Sequence, residues 1–238
     1  MKNSGHLSQC RRDAAFTLIE LIVVIAIIGI LASLIFPIIG AANKHKLIRT
    51  AQTQLQGIES AIDGYKTKLG FYPPDNTNNP VVNQLYFELV GTTNNGAGQP
   101  APSLWVTMDG GAQIGTTTTP NINAVFGVSG IANTSTRAHS DDSGAAAVPF
   151  LNNLTPNEIG VYDPSTPGGQ QIKLLVCSVT WPAEKMPPPI PSNPILNPWR
   201  YNSSHPTNNT ASYDLWVDII IKGKTNRICN WNSQPIVL

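Results

Sequence analysis

Residues that carry catalysis in other chains are sparse and badly placed in this one. The four histidines, His6, His45, His139 and His205, are scattered, and none has the paired helical spacing of a zinc protease or a cysteine partner at zinc-site spacing. No phosphate-cradling glycine loop and no nucleophile elbow occurs. The one local cluster of metal-ligand types is His139-Ser140-Asp141-Asp142, in a Ser/Gly/Ala-rich stretch that reads as a solvated loop. The residue with something to explain is Glu20. It stands at the head of an uncharged run, Leu21 to Ile39, LIVVIAIIGILASLIFPII. An ionised carboxylate taken into such surroundings costs several kcal/mol unless it is paired. Its chemistry is therefore charge pairing: the carboxylate demands a partner, and the positive end of its own helix is one.

The element that positions Glu20 is a helix. At about 1.5 Å per residue the apolar run nearly matches a hydrocarbon core of about 30 Å, so it is long enough to span a membrane. It is too long for the apolar core of a removable secretory signal, about 7 to 15 residues, and it ends in Phe36-Pro37, not at a small-residue cleavage site. Basic residues flank it on both sides, Lys2, Arg11 and Arg12 before and Lys44, Lys46 and Arg49 after, so charge does not orient it. Beyond Pro37, the residues Ile48, Ala51, Leu55, Ile58, Ile62, Tyr65 and Leu69 recur at spacings of three and four and share one helix face. One long helix from about Phe16 to Leu69 is expected, closed by Gly70 ahead of Phe71-Tyr72-Pro73-Pro74.

The remainder points to β structure and loops. Charged residues are 12% of the 238, the formal net charge is +1, and polarity comes largely from Asn, Thr, Ser and Gln beside 20 Pro and 19 Gly. No polyanion-binding surface is advertised, and nucleic acid is not an expected partner. Between Asn76 and about Pro149 the sequence is loop-like, with short apolar pieces at Leu85 to Val90 and Leu104 to Met108. This region, about 76–150, reads as a loop-rich insertion. The strongest strands are Ile172 to Trp181 and Tyr213 to Ile221. In the second, Tyr213, Leu215, Val217, Ile219 and Ile221 alternate with Asp214, Trp216 and Asp218.

Arg11-Arg12-Asp13-Ala14-Ala15, then Phe16-Thr17-Leu18-Ile19-Glu20 and uninterrupted aliphatics, resembles the N-terminal signature of type IV pilins and type II secretion pseudopilins. The resemblance implies a leader, residues 1–15, removed by a prepilin peptidase between Ala15 and Phe16, and N-methylation of Phe16. Ala15 departs from the glycine usual before the cut. The resemblance further implies that Glu20 pairs with the charged N-terminus of a neighbouring subunit, so that Phe16 and Glu20 register assembly. Pro37 falls where the family perturbs its helix, and Gly29 is a second weak point. The segment ESAIDGYKTKLGFYPPDN resembles the close of the long helix in the major pseudopilin, which favours that branch. Asn197 to Tyr201 and Tyr213 to Trp216 loosely resemble the pseudopilin strand pair that opens with an acidic-Pro-Trp turn, with Asn197 in place of the acid.

The expected fold is thus α+β and pilin-like: a leader at 1–15, a hydrophobic then amphipathic helix at 16–69, and a globular domain at 70–238 with a small antiparallel sheet. The expected role is that of a structural, non-enzymatic subunit of a type II secretion pseudopilus. It is anchored by one span in the bacterial inner membrane, with the C-terminal domain periplasmic or extracellular. Its partners would be the prepilin peptidase, copies of itself, other pseudopilins, the inner-membrane assembly platform and membrane lipid. The rivals are a type IV pilin or minor pilin serving adhesion, motility or DNA uptake, and an uncleaved membrane-anchored enzyme or binding protein. With Cys10 in the leader, Cys177 and Cys229 remain as candidates for a disulfide in an oxidising compartment. Many major pseudopilins hold calcium after this last strand. Here Lys222-Gly223-Lys224 follows it, so no cofactor is expected, and a calcium ion would have to rely on Asp214 or Asp218 with carbonyl oxygens.

Overall fold

In the computed structural model, the residues described are 17–94, 103–117, 121–136, 146–162 and 172–238, without the side chains of 34–41 and 136. The chain divides into two compact units, Met1–His45 and Lys46–Leu238. Helix α1, Leu18–Leu69, contributes to both. In the first unit its apolar side chains from Leu18 to Leu31 are exposed on every face. Among the described residues no helix is long and apolar enough to cross a membrane. The side chains at 34–41, where the apolar run of the sequence continues, lie outside that description.

In the second unit the predicted stripe is buried as one face. Ala51, Leu55, Ile58, Ile62 and Tyr65 are buried, and Ile48 and Leu69 are partly covered. The helix ends as expected: Gly70 takes φ +87°, a conformation costly for residues with a Cβ, and its N–H returns to the Lys66 carbonyl at 2.9 Å.

The elements that follow are α2, Leu85–Val90; β1, Thr92–Asn94; β2, Leu104–Thr107; β3, Gln113–Gly115; α3, Ile122–Phe126; and β4, Thr134–Thr136. After a 3-10 turn at Pro156–Glu158 come β5, Ile159–Tyr162; β6, Ile172–Leu175; β7, Arg200–Asn202; β8, Asp214–Ile221; β9, Lys224–Cys229; and β10, Asn232–Val237. Among the described residues three sheets form, ordered β3-β2-β1-β4, β5-β6 and β10-β9-β8-β7. All pairings are antiparallel except β1 with β4. The architecture is α+β, an N-terminal helix with mainly antiparallel sheets. Among the described residues it has three sheets where one was expected.

The region expected as a loop-rich insertion, 76–150, carries short elements among its loops, and these join the core. Every residue of α2 is buried, and Tyr86, Phe87, Leu89, Ile114, Ile122 and Phe126 join the same core as the α1 stripe. Elements of three to six residues are too short to display a hydrophobic period, so a Thr- and Asn-rich composition hides them.

β8 delivers its alternation. Leu215, Val217, Ile219 and Ile221 enter the core with α1, and Tyr213 packs edge-on against Tyr72 at 5.1 Å between centroids. Asn197 is buried and has taken over the acid's place as a donor, its Nδ2 reaching the carbonyls of Val179 at 3.0 Å and Asp218 at 2.9 Å.

Candidate functional site: the N-terminal helix start and the polar clusters of the domain

At the start of α1, the Glu20 carboxylate accepts from the Thr17 N–H at 2.9 Å and the Thr17 hydroxyl at 2.7 Å, while the Glu20 N–H donates to Thr17 Oγ1 at 3.3 Å. This is a reciprocal capping box, with Thr17 as cap and Glu20 at the third helical position. The pattern Thr-x-x-Glu ahead of an apolar run is the sequence signature of this cap. The acid is therefore held locally, at the positive end of the helix, and one carboxylate oxygen makes both bonds. Gly29 has nothing within 4 Å of where a Cβ would stand. Ala15 and Phe16, where a cut is expected, and the His139 cluster lie outside the described residues, as does the side chain of Pro37.

The two calcium candidates are committed elsewhere. Asp214 accepts backbone N–H groups from Thr207 at 2.8 Å, Asn208 at 3.0 Å and Asn209 at 2.8 Å, and the Asn208 side-chain amide at 3.0 Å. Burial pushes its carboxyl up, but these donors outweigh burial and hold it below the ordinary carboxylate range. Asp218 is forked onto Arg227, Nε to Oδ1 at 2.8 Å and Nη2 to Oδ2 at 3.0 Å. β8 and β9 are joined by Lys222 and Gly223 alone, both at positive φ, +50° and +77°, so the turn has no spare carbonyls to fold around an ion. These residues do not fit a calcium site.

Cys177 and Cys229 are free thiols, both buried, so the bridge left open by the sequence is not formed. They belong to different sheet systems: Cys177 follows β6 and bonds the Asn197 carbonyl, whereas Cys229 ends β9 opposite Trp216. Burial pushes the Cys177 thiol up to about 12, which leaves it protonated and unreactive.

Two buried charged residues escaped the sequence reading. Glu88, in the middle of α2, is fully buried and accepts from the Tyr65 hydroxyl, the Ala132 N–H and the Asn133 N–H, each at 2.9 Å. Burial pushes its carboxyl up, against the pull of those three donors. It ties the insertion to the last turns of α1. Arg200, on β7, is buried with a guanidinium nitrogen left without an acceptor.

With this geometry in place, the comparisons fall where the helix start does. A family profile described as the prokaryotic N-terminal methylation motif matches residues 10–36. The motif is present. The type II secretion system core protein G of Aeromonas hydrophila is 44% identical over 66 residues, covering 27% of this chain and 46% of that protein. The protein of the same name from Pseudomonas aeruginosa is 37% identical over 65 residues, 27% and 46% of the two chains, and that from Escherichia coli is 41% identical over 66, 27% and 45%. The chain spans a little under half the length of the curated relatives it matches. The resemblance to type II secretion pseudopilins is thus shown over about a quarter of the sequence. No solved structure matches significantly.

Proposed function

We propose that this chain is a prepilin-type structural subunit of a type II secretion system. In this reading the bond between Ala15 and Phe16 is hydrolysed by a prepilin peptidase and the freed amine of Phe16 is methylated. The apolar half of α1 holds the subunit in the inner membrane, with Lys46–Leu238 on the periplasmic side. The subunit then leaves the bilayer as helices stack into a pseudopilus, with other pseudopilins and the assembly platform as partners. No step of this requires an enzyme activity of its own.

The observation that carries the proposal is the methylation motif at 10–36 lying on an apolar helix start with one acid. The Thr17–Glu20 box explains how that acid is tolerated before assembly: its charge is met by its own helix end. In the filament the same carboxylate is to exchange Thr17 for the positive amine of Phe16 on a neighbouring copy, a stronger, charge-assisted bond. Pro37 and Gly29 let the helix bend or melt locally during that exchange.

The deciding measurement is intact mass and N-terminal sequencing after expression with and without a prepilin peptidase. A peptidase-dependent start at methylated Phe16 is expected, and an intact Met1 under both conditions refutes the proposal. Glu20→Leu separates assembly from anchoring: membrane insertion persists and polymerisation is lost, whereas normal filaments from this variant would remove Glu20 from the mechanism. No calcium takes part in this reading, so a chelator is expected to leave the Tm where it was.

A further inference from the structure

Gly57 lies in the interior of α1, within the Lys46–Leu238 unit, where a glycine weakens a helix. Nothing in its own chain accounts for it. A Cβ at Gly57 would meet no atom within 4 Å, whereas one at Gly64, two turns on, would press on the Phe150 ring at 3.3 Å. Gly64 is therefore kept small by its own domain, and Gly57, which is exposed, is not. A glycine on an open helix surface lets a second helix approach closely.

Beside Gly57 lies an apolar slot of about 130 Å³. Its lining runs from exposed Thr53 and Gly57, past half-buried Leu154, to buried Ile58, Leu175 and Trp199. The two longer polar side chains that reach it are already engaged. Gln54 Nε2 donates to Glu158 Oε1 at 3.0 Å, and Gln54 Oε1 accepts from the Ser178 N–H at 3.1 Å. Such a lining offers water little to bond, and an apolar group fills it better. Since an apolar cavity of about 150 Å³ takes one benzene ring, this slot takes a single large aliphatic side chain.

Helix α1 is itself a source of such side chains, because its Leu, Ile and Val residues from Leu18 to Leu31 are exposed on every face. Slot and aliphatic residues both belong to α1, and a helix does not pack against itself, so the two meet only between copies. We infer that the apolar half of α1 from one copy crosses a second copy at Gly57 and seats one Leu, Ile or Val side chain in the slot. The contact is heterologous: each copy gives a side chain to one neighbour and a slot to another, so it repeats into an open filament and does not close into a pair. It specifies the stacking step of the proposed function and rests on that reading.

In the test, the full chain carrying Thr53→p-benzoylphenylalanine is irradiated in cells that supply a prepilin peptidase and an assembly platform, and adducts are mapped by mass spectrometry. The expected product joins two copies, the second attached within residues 18–31. Gly57→Leu blocks the approach, so it should cut this adduct by about tenfold or more. The Tm of the same variant in detergent should not fall, since a side chain at 57 starts into open space and favours the helix. No adduct, or one to another part of the chain, to lipid or to a different protein, overturns the inference. So does an undiminished adduct in Gly57→Leu, or a lower Tm, which would mean that Gly57 serves its own fold. A processed, methylated Phe16 without the adduct removes this contact and leaves the proposed function standing, whereas the adduct from a chain with Met1 intact keeps the contact and refutes the processing.

Discussion

At the scale of single residues, the clearest physical statement concerns Asp214. Its folded carboxyl sits below the ordinary range, because the donors of residues 207–209 outweigh its burial. A depressed folded value means the stabilisation is present above the unfolded value, about 3.9, and is lost as pH falls through the folded one. The Tm of the chain should therefore fall as pH drops below about 4. Asp214→Asn should cost about 1–3 kcal/mol at pH 7, where an amide nitrogen faces backbone donors, and much less at pH 2. Melts of both proteins from pH 7 to 2 check this. An equal penalty at both ends would mean that the charge of Asp214 contributes nothing. The sequence marks this aspartate only as an acid that a calcium ion would have to rely on. Hardness and charge suggest calcium, but nothing in the local sequence reveals that three successive amides at 207–209 curl toward it.

At the scale of elements, legibility follows length. The α1 stripe runs through about six turns, so its period identifies both the helix and its buried face. β8 is long enough for alternation to show. α2 has six residues and β1 three, and no period can declare itself there. The link between β8 and β9 shows in the sequence as Lys222-Gly223-Lys224, a basic loop that argues against an ion, while its tight turn shows only in the structure. Gly223 sits at φ +77° with open space where a Cβ would be. Gly223→Ala should thus cost about 1–2 kcal/mol from backbone strain alone. Lys222→Asn should recover a few tenths of a kcal/mol, because asparagine tolerates the left-handed conformation better than lysine. Denaturant unfolding of the two variants measures both signs, and a neutral Gly223→Ala would show that the turn relaxes.

At the scale of the whole molecule, the question is whether residues 76–149 decorate the Lys46–Leu238 unit or hold it together. Their composition argues for decoration. Their burial argues otherwise: Phe87 and Phe126 stack edge-on at 5.8 Å within the core that also takes Ile58, Ile62 and Tyr65 of α1. Glu88 is the polar tie across that contact. Replacing it by glutamine keeps the volume but leaves the donors of Tyr65, Ala132 and Asn133 to compete for one carbonyl oxygen, so Glu88→Gln should destabilise by about 1–3 kcal/mol. Excising 76–149 is a harsher test of the same idea. It removes α2 and the β3-β2-β1-β4 sheet, strips the cover from Tyr65 and Ile62, and exposes several large apolar side chains, each worth about 1.5–3 kcal/mol when buried. With total stabilities near 5–15 kcal/mol, a few such losses are enough to abolish the fold. The excised chain should show no cooperative melt by circular dichroism, and Glu88→Gln should melt cooperatively at a lower temperature. A sharp transition in the excised chain would instead mean that α1 and β7–β10 form a self-sufficient domain and that the intervening residues are an independent addition to it.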